Sequence, residues 1–278
     1  MIKNSYQKDC HLLVFTDLDG TLLDHETCSF EPALPAIKTL KEKNIPLVFC
    51  TSKTRAEIEE VRLQLHNTHP FISENGGAIF VPKNYFFHKF KFTREDSNYF
   101  IVELGTPYKK IREAFNQMRL LFPKKLKGFG DLSSKEVAHL CGFSLDQGKL
   151  AKKREYDEPF ILENEATKEA IQEIAGRSNL NISRGGRFYH LIGQNDKGKA
   201  VLMLRDIYKV KSKNLKTIAL GDSFNDLPML KVVDFPILVK KPDGSYDPSV
   251  KLDNITLASG AGPTGWSDAL LKLLDKLL

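Results

Sequence analysis

The sequence predicts an α/β fold: a doubly wound, mostly parallel, Rossmann-like sheet with a smaller α+β unit inserted into it. Three observations lead there. Short apolar runs alternate with segments of helical periodicity over roughly the first 80 residues, the order that builds parallel sheets. The same alternation resumes over the last third of the chain. Between them the composition changes: residues 83–154 carry 16 Lys/Arg against 7 Asp/Glu, whereas 1–82 carry 8 against 11 and 155–278 carry 17 against 17. We therefore place the core at 1–83 and 191–278 and the inserted unit at 84–190.

His11 to Thr16 is an apolar run ending at Asp17 and reads as a buried parallel strand. Leu34, Ile37 and Leu40 recur at helical spacing within Glu31 to Asn44, with Pro32 just inside the start and Asn44 at the end. Ile45 to Cys50 is a second strand. Arg55 to His66 is a second helix with Ile58, Val61 and Leu65 on one face, and Phe71-Ile72 and Ala78 to Val81 are short strands. In the insert, Phe86 to Phe92 and Tyr99 to Leu104 read as strands, and Tyr108 to Phe122 as a helix. Glu158 to Leu162 is a further strand, Glu165 to Ala175 a further helix, and Asn181 to Ile192 a hairpin turning at Arg184-Gly185-Gly186-Arg187. The core then returns with a helix over Gly198 to Tyr208, strands over Thr217 to Leu220 and Phe235 to Val239, and a closing amphipathic helix over Trp266 to Leu277.

Several function classes are excluded. No apolar run approaches the roughly 18–20 residues of a membrane span, and Met1 to His11 lacks a signal-peptide core. Cys10, Cys28, Cys50 and Cys141 are far apart, which argues against a disulfide framework or a zinc site and for a reducing cytoplasm. The basic insert carries no aromatic-interleaved stripe of the nucleic-acid-binding kind, so its lysines read as a solvated surface. No nucleic-acid or membrane partner is expected.

The chemistry sits at strand ends. The first strand runs into Asp17-Leu18-Asp19-Gly20-Thr21, the second into Thr51-Ser52-Lys53, and the late one into Gly221-Asp222-Ser223-Phe224-Asn225-Asp226, with Lys197 opening the helix before it. Ligands of open α/β sheets bind outside the carboxyl ends of the strands. Asp17 and Asp19, two apart, point the same way, and Gly20 allows a sharp turn. Converging carboxylates repel unless a cation sits among them, and an oxygen-rich site suits Mg²⁺. A lysine neutralises a phosphoryl group, a threonine hydroxyl hydrogen-bonds it, and a carboxylate can attack it to form an aspartyl phosphate. Each piece alone is ordinary turn chemistry; their joint occurrence at element ends is not.

Asp17-Leu18-Asp19-Gly20-Thr21, Thr51, Lys197 and Gly221-Asp222-x-x-Asn225-Asp226 resemble the four motifs of the haloacid dehalogenase (HAD) superfamily of phosphotransferases, and the long insert resembles the cap of its Cof-like branch. Thr51-Ser52-Lys53-Thr54, Glu74-Asn75-Gly76-Gly77, Arg154-Glu155-x-x-Glu158-Pro159, Gly186-Arg187-Phe188-Tyr189-His190 and Gly262-Pro263-x-Gly265-Trp266 are similar to the mannosyl-3-phosphoglycerate phosphatase family within it. The resemblance implies that Asp17 is the nucleophile and Asp19 the proton carrier. It implies Mg²⁺ held by Asp17, Asp222 and the backbone carbonyl of Asp19, and phosphoryl oxygens held by Thr51 and Lys197. Asn225 would orient that shell and Asp226 would support it. The substrate would be a small phosphorylated glycosyl glycerate, hydrolysed to the glycosylglycerate and phosphate, with a glycosyltransferase as companion enzyme. A general sugar-phosphate phosphatase and a phosphomannomutase are the alternatives within that chemistry, and a non-catalytic anion-binding module is the alternative outside it.

For the rest of the substrate, Arg184 and Arg187 suit a carboxylate, Lys53 faces the same crevice, and Glu74, Asn75, Gly76 and Gly77 offer groups to sugar hydroxyls. His190 reads as a hydrogen-bonded core histidine, and Trp266 as packing for the last helix. The Lys-rich runs Lys124 to Lys127 and Lys149 to Arg154 have no counterpart in that family's pattern, which leaves the entrance geometry and the sugar open.

Overall fold

Strand β1 (Leu12–Thr16), helix α1 (Leu34–Glu42), strand β2 (Leu47–Cys50), helix α2 (Arg55–Gln64) and strand β3 (Phe71–Ser73) follow one another as the alternation predicts. Strands β4 (Ala78–Pro82), β5 (Arg94–Glu95) and β6 (Tyr99–Glu103) come next. The smaller unit contains α3 (Tyr108–Leu121), β7 (Leu126–Gly128), α4 (Ser134–Cys141), α5 (Leu145–Ala151), β8 (Asp157–Leu162), α6 (Lys168–Arg177), β9 (Asn181–Gly185) and β10 (Phe188–Ile192). The chain returns through α7 (Lys197–Lys209), β11 (Lys216–Gly221), α8 (Leu227–Leu230), β12 (Phe235–Lys240), β13 (Thr256–Ala261) and α9 (Gly262–Leu277). This is a computed structural model describing residues 11–122 and 125–278; the N-terminal stretch with Cys10, and Lys124 of the Lys-rich run, lie outside the described residues.

Among the described residues, nine strands form one sheet in the order β13-β12-β11-β1-β2-β3-β4-β6-β5, and β7-β8-β10-β9 form a second. From β13 to β3 the large sheet is parallel; β4, β5 and β6 add antiparallel neighbours at one edge. Alternation along β1 sends Leu12 and Val14 to one apolar layer, under α1, α2 and α9, and Leu13 and Phe15 to the other, under α7 and α8. A strand buried on both faces reads as an unbroken apolar run, which is why β1 was visible in the sequence. Trp266 is fully buried in the first layer, and its indole N–H donates to Thr16 Oγ1 at 2.9 Å, so it packs the last helix as expected. In the smaller unit, Ile111, Phe115 and Met118 of α3 pack on Phe160, Tyr189 and Leu191 of its sheet.

Two expectations are corrected. Residues 86–92 form no strand. The rings of that stretch pack instead: Phe86 against Tyr208 at 4.9 Å and Phe92 against Phe100 at 4.8 Å. The smaller unit also does not begin at 84, because β6 pairs antiparallel with β4 inside the large sheet, and the second sheet closes at Ile192 rather than 190. The change in surface charge at 83 precedes the change of sheet by some twenty residues, since charge marks solvent and not strand pairing. No helix among the described residues is long and apolar enough to cross a membrane.

Candidate active site

The parallel neighbours β11, β1 and β2 end side by side, with Thr16 in register with Leu220 and with Phe49. Their carboxyl ends therefore deliver Asp222, Asp17 and Thr51 to one edge. The Asp17 amide still donates to Leu220 O at 2.9 Å, which fixes the start of the loop. Gly20 turns that loop at φ +75°, and a Cβ there would lie 3.0 Å from Asp222 Oδ2, so a side chain would be strained by the backbone and would press on Asp222.

Lys197 opens α7, whose N-cap is Asp196. Its ammonium is buried and bridges Asp17 Oδ1 at 2.7 Å and Asp226 Oδ1 at 2.6 Å. The other oxygen of Asp226 accepts the amides of Asp222 at 3.0 Å and Ser223 at 3.1 Å. Asp222 Oδ1 accepts from the Thr21 hydroxyl at 3.1 Å. Asp17, Asp222 and Asp226 each place a carboxylate oxygen within 4.8 Å of the others. Three carboxylates against one ammonium leave two negative charges over.

Burial, and after it that excess, set the proton affinity of the carboxyls. Burial pushes the Asp17 carboxyl up to about 7, with Lys197 pulling down and Asp226 pushing up. Burial, then Asp226 and Asp17, raise Asp222 well above the carboxylate range. Burial opposes the charge on Lys197, but its two carboxylates outweigh it and hold the ammonium above its ordinary value. The donor set fits a hard divalent cation such as Mg²⁺: oxygen ligands, two uncompensated charges, and Asp226 already committed at both oxygens. Asp17 and Asp222 are thus the side chains able to hold it. Without a cation, folded-state values raised above the unfolded ones mean that stability is fully present below about pH 4 and is lost as pH rises through 7. We expect the unfolding free energy of metal-free protein to fall between pH 5 and 8, by up to about 1.36 kcal/mol per pH unit for each such group, and its thermal midpoint to fall with it. Added Mg²⁺ flattens that slope; an identical slope with and without Mg²⁺ in calorimetric scans would contradict the cluster's role.

The second strand end is organised by a capping box. The Thr54 hydroxyl accepts from Glu57 N at 3.1 Å, and Glu57 Oε2 accepts from Thr54 N at 2.8 Å. Thr51 is fully buried, and its hydroxyl oxygen accepts the Lys53 amide at 3.3 Å, leaving the hydroxyl proton for an outside acceptor. Lys53 lines the cavity above the cluster, pairs with Asp19 Oδ1 at 2.9 Å, and lies 5.2 Å from the Phe143 ring centroid. The pairing also fixes the orientation of Asp19.

Other expected residues sit elsewhere. Glu74, Asn75, Gly76 and Gly77 are buried and do not line the cavity over Asp17. Glu74 is fully buried, its carboxylate accepts the amides of Glu155 and Tyr156, and burial pushes it up to about 8. Asn75 Nδ2 donates to Asp157 Oδ2 at 2.9 Å. A Cβ on Gly77 would meet Tyr156 Cβ at 2.5 Å. A Cβ on Gly76, at φ +84°, would meet Asp196 O at 2.2 Å, so Gly76→Ala should lower stability by at least about 3 kcal/mol in urea titrations. The stretch joins the core to the smaller unit: the backbone is left-handed at 74–76, and the Glu74 and Asn75 side chains bond to Glu155, Tyr156 and Asp157. Arg184 is exposed, 3.7 Å from Glu165 Oε1, and faces an adjoining cavity instead. Arg187 does line the first cavity, anchored on Cys141 O at 2.9 Å. His190 is buried with Nδ1 2.9 Å from Asp157 Oδ2, as expected of a core histidine, although it also reaches the cavity wall.

Sequence reasoning did not select Arg154, Phe129 and Phe143, which line the same cavity. Arg154 donates to Ser52 O at 2.8 Å and so ties the smaller unit to the second strand's loop. Its signal was the Arg154-Glu155-x-x-Glu158-Pro159 run, read only as a likeness.

A haloacid dehalogenase-like hydrolase family model matches residues 14–244. The glucosyl-3-phosphoglycerate/mannosyl-3-phosphoglycerate phosphatase of Methanococcoides burtonii is 51% identical over 95% of this chain and 97% of its own. The mannosyl-3-phosphoglycerate phosphatase of Pyrococcus horikoshii is 38% identical over 82% of this chain and 90% of its own. Among solved structures, a subclass IIB sugar phosphatase of the haloacid dehalogenase superfamily superimposes with a TM-score of 0.65 at 16% identity, covering 94% of this chain and 98% of its own. The sucrose-phosphatase of Synechocystis sp. PCC6803 does so with a TM-score of 0.61 at 14% identity, covering 95% and 98%. The two structures share the fold.

Proposed function

Because the chain belongs to the haloacid dehalogenase-like hydrolases, we propose that it is a Mg²⁺-dependent phosphatase that hydrolyses mannosyl- or glucosyl-3-phosphoglycerate to the glycosylglycerate and phosphate. The observation that carries the phosphatase chemistry is the trio Asp17, Asp222 and Asp226 around the buried Lys197 at the strand ends, with its two uncompensated charges. The substrate class follows the relatives of Methanococcoides burtonii and Pyrococcus horikoshii.

In this reading a carboxylate oxygen of Asp17 attacks phosphorus in line, and the bond from phosphorus to the glycerate C3 oxygen breaks. Asp19, steadied by Lys53, donates a proton to that oxygen as it leaves. A water then gives its proton to Asp19 and attacks the aspartyl phosphate, freeing phosphate and restoring the Asp17 carboxylate. Thr51 and Lys197 hold phosphoryl oxygens. Asn225 orients the acidic loop and Asp226 keeps Lys197 in place. Asp17 and Asp222, with the Asp19 carbonyl, would hold the Mg²⁺, which when bound would neutralise charge on the phosphoryl group. Residues 104–192 act as the cap over this centre. Arg187 and Lys53 recognise the carboxylate end of the substrate. The unpaired Cys28, Cys50 and Cys141 support a reducing compartment, the cytoplasm.

A panel of mannosyl-3-phosphoglycerate, glucosyl-3-phosphoglycerate and simple hexose phosphates tests the assignment. We expect kcat/KM for the glycosyl phosphoglycerates to exceed that for hexose phosphates by at least about 100-fold, since groups placed to pair with a substrate carboxylate reject analogues lacking it. Chelation should abolish turnover and Mg²⁺ restore it. Faster hydrolysis of hexose phosphates would make this a general sugar phosphatase instead.

A further inference from the structure

Asn75 stands at a left-handed position, φ +56°, directly after Glu74 at φ +48°. Two consecutive non-glycine residues in that region store about 1–3 kcal/mol each, and such strain persists only where surroundings over-determine it. Here every polar group of Asn75 is used. Its amide donates to Thr51 O at 3.0 Å and its carbonyl accepts Asn195 Nδ2 at 3.1 Å. Its side-chain Nδ2 donates to Asp157 Oδ2 at 2.9 Å, and Oδ1 accepts Asn225 Nδ2 at 3.1 Å.

The last two bonds belong to a directed chain. The Ser223 hydroxyl donates to Asn225 Oδ1 at 2.7 Å, Asn225 to Asn75, and Asn75 to the Asp157 carboxylate, which also takes His190 Nδ1 at 2.9 Å. Every donor points toward Asp157, so each bond strengthens the next. Asp157 begins β8 and His190 lies in β10, both in the second sheet, whereas Ser223 and Asn225 lie in the loop that carries Asp222 and Asp226. A second contact reaches the same amide from the other side. A Cβ on Gly185, at the end of β9, would stand 2.6 Å from Asn225 Nδ2, so the hairpin backbone rests on Asn225.

We propose that Asn75 is a positioning residue: it ties Asp157 of the cap to Asn225 of the acidic loop, so that seating of the cap and the geometry of the Mg²⁺-binding carboxylates are set together. Asn75 touches neither substrate nor ion; it acts through Asn225. The assignment rests on the phosphatase reading above for its consequence in turnover, while the coupling itself is a matter of ion binding.

The test is an exchange of the two side chains. Asn75→Asp has no donor for Asp157 and sets two carboxylates face to face. The double variant Asn75→Asp/Asp157→Asn rebuilds every bond with the charge moved one place: the new carboxylate at position 75 accepts from Asn225 and from the new amide at position 157, whose oxygen accepts from His190. We expect Asn75→Asp to weaken Mg²⁺ binding in calorimetric titration by roughly 10- to 100-fold and to lower kcat similarly, with KM changed less. The exchange variant should return both to within about threefold of the unmodified protein. Gly185→Ala, which presses a methyl on the Asn225 amide from an exposed hairpin, should weaken Mg²⁺ binding with the thermal midpoint kept, and it serves if Asn75→Asp does not fold. The proposal falls if Mg²⁺ affinity is unchanged in Asn75→Asp, if the folded exchange variant binds Mg²⁺ no better than the single one, or if Gly185→Ala binds Mg²⁺ like the unmodified protein. Calorimetry needs no substrate, so failure of unmodified protein to hydrolyse glycosyl-3-phosphoglycerates would count against the functional reading alone.

Discussion

Asp17→Asn should abolish phosphate release by more than about 10⁴-fold while leaving the fold intact. The substitution is isosteric, and it keeps the backbone bond from position 17 to Leu220 O that anchors the loop. What it removes is the atom that must bond to phosphorus. An amide oxygen cannot form a hydrolysable phosphoanhydride, and no neighbouring carboxylate takes over: Asp226 is locked on Lys197 and on two amides, and Asp222 on Thr21. The variant should not be less stable without metal, because burial already disfavours the ionised form of Asp17. Steady-state phosphate release together with a thermal scan decides it. Activity within a hundredfold of the unmodified enzyme would mean that water, not Asp17, attacks the phosphorus.

Lys197→Met should be the most damaging single change in stability. It deletes the buried ammonium that bridges Asp17 and Asp226 at the floor of the cavity and leaves their carboxylates without that counter-charge. Breaking such a pair from one side costs about 3–5 kcal/mol, because the abandoned charge stays buried. The deficit should depend on pH in a defined sense. Asp17 is already raised to about 7 with Lys197 present; without it the carboxyl moves higher still, so the penalty is full at pH 8 and shrinks toward pH 5 as the cluster protonates. Urea titrations at the two pH values measure this, and an equal loss at both would assign the effect to packing of the lysine stem. Turnover should be lost at either pH.

The fold of the core was legible because its central strands are buried on both faces and its site motifs fall at strand ends; β1, β2 and β11 needed only their apolar runs and the polar residue after each. The cap was less legible. Helices α4 and α5 went unread, although each opens with a capping box that the sequence displays: Ser133 with Glu136, and Ser144 with Gln147. Their lysines drew attention to charge, while the apolar stripe of Val137, Cys141 and Ala151 is short and belongs to a small cluster with Phe129, Leu132, Phe143 and Phe188. Phe90 and Phe92 alternate as strand residues do, but aromatic rings satisfied by Phe100 need no ladder partner. For the site, the nucleophile, the lysine and the acidic loop could be named from their order along the chain. Glu74 to Gly77 could not be placed: glycines and an acidic residue after a strand describe a ligand loop and a joint equally well, and only the positive φ values and the bonds to Glu155, Tyr156 and Asp157 distinguish them. Arg154 was hidden for the opposite reason, since its partner Ser52 lies 102 residues away in sequence.

Anomalous diffraction from crystals of this protein soaked in Mn²⁺, a substitute for Mg²⁺ with the same taste for oxygen, probes the carboxylate cluster most directly. The expected map holds one strong peak at the strand ends, within about 2.5 Å of a carboxylate oxygen from each of Asp17 and Asp222, with the Lys197 ammonium close by but not bonded to it. A map with no peak there at saturating Mn²⁺, or with the ion held by other residues, would contradict the account.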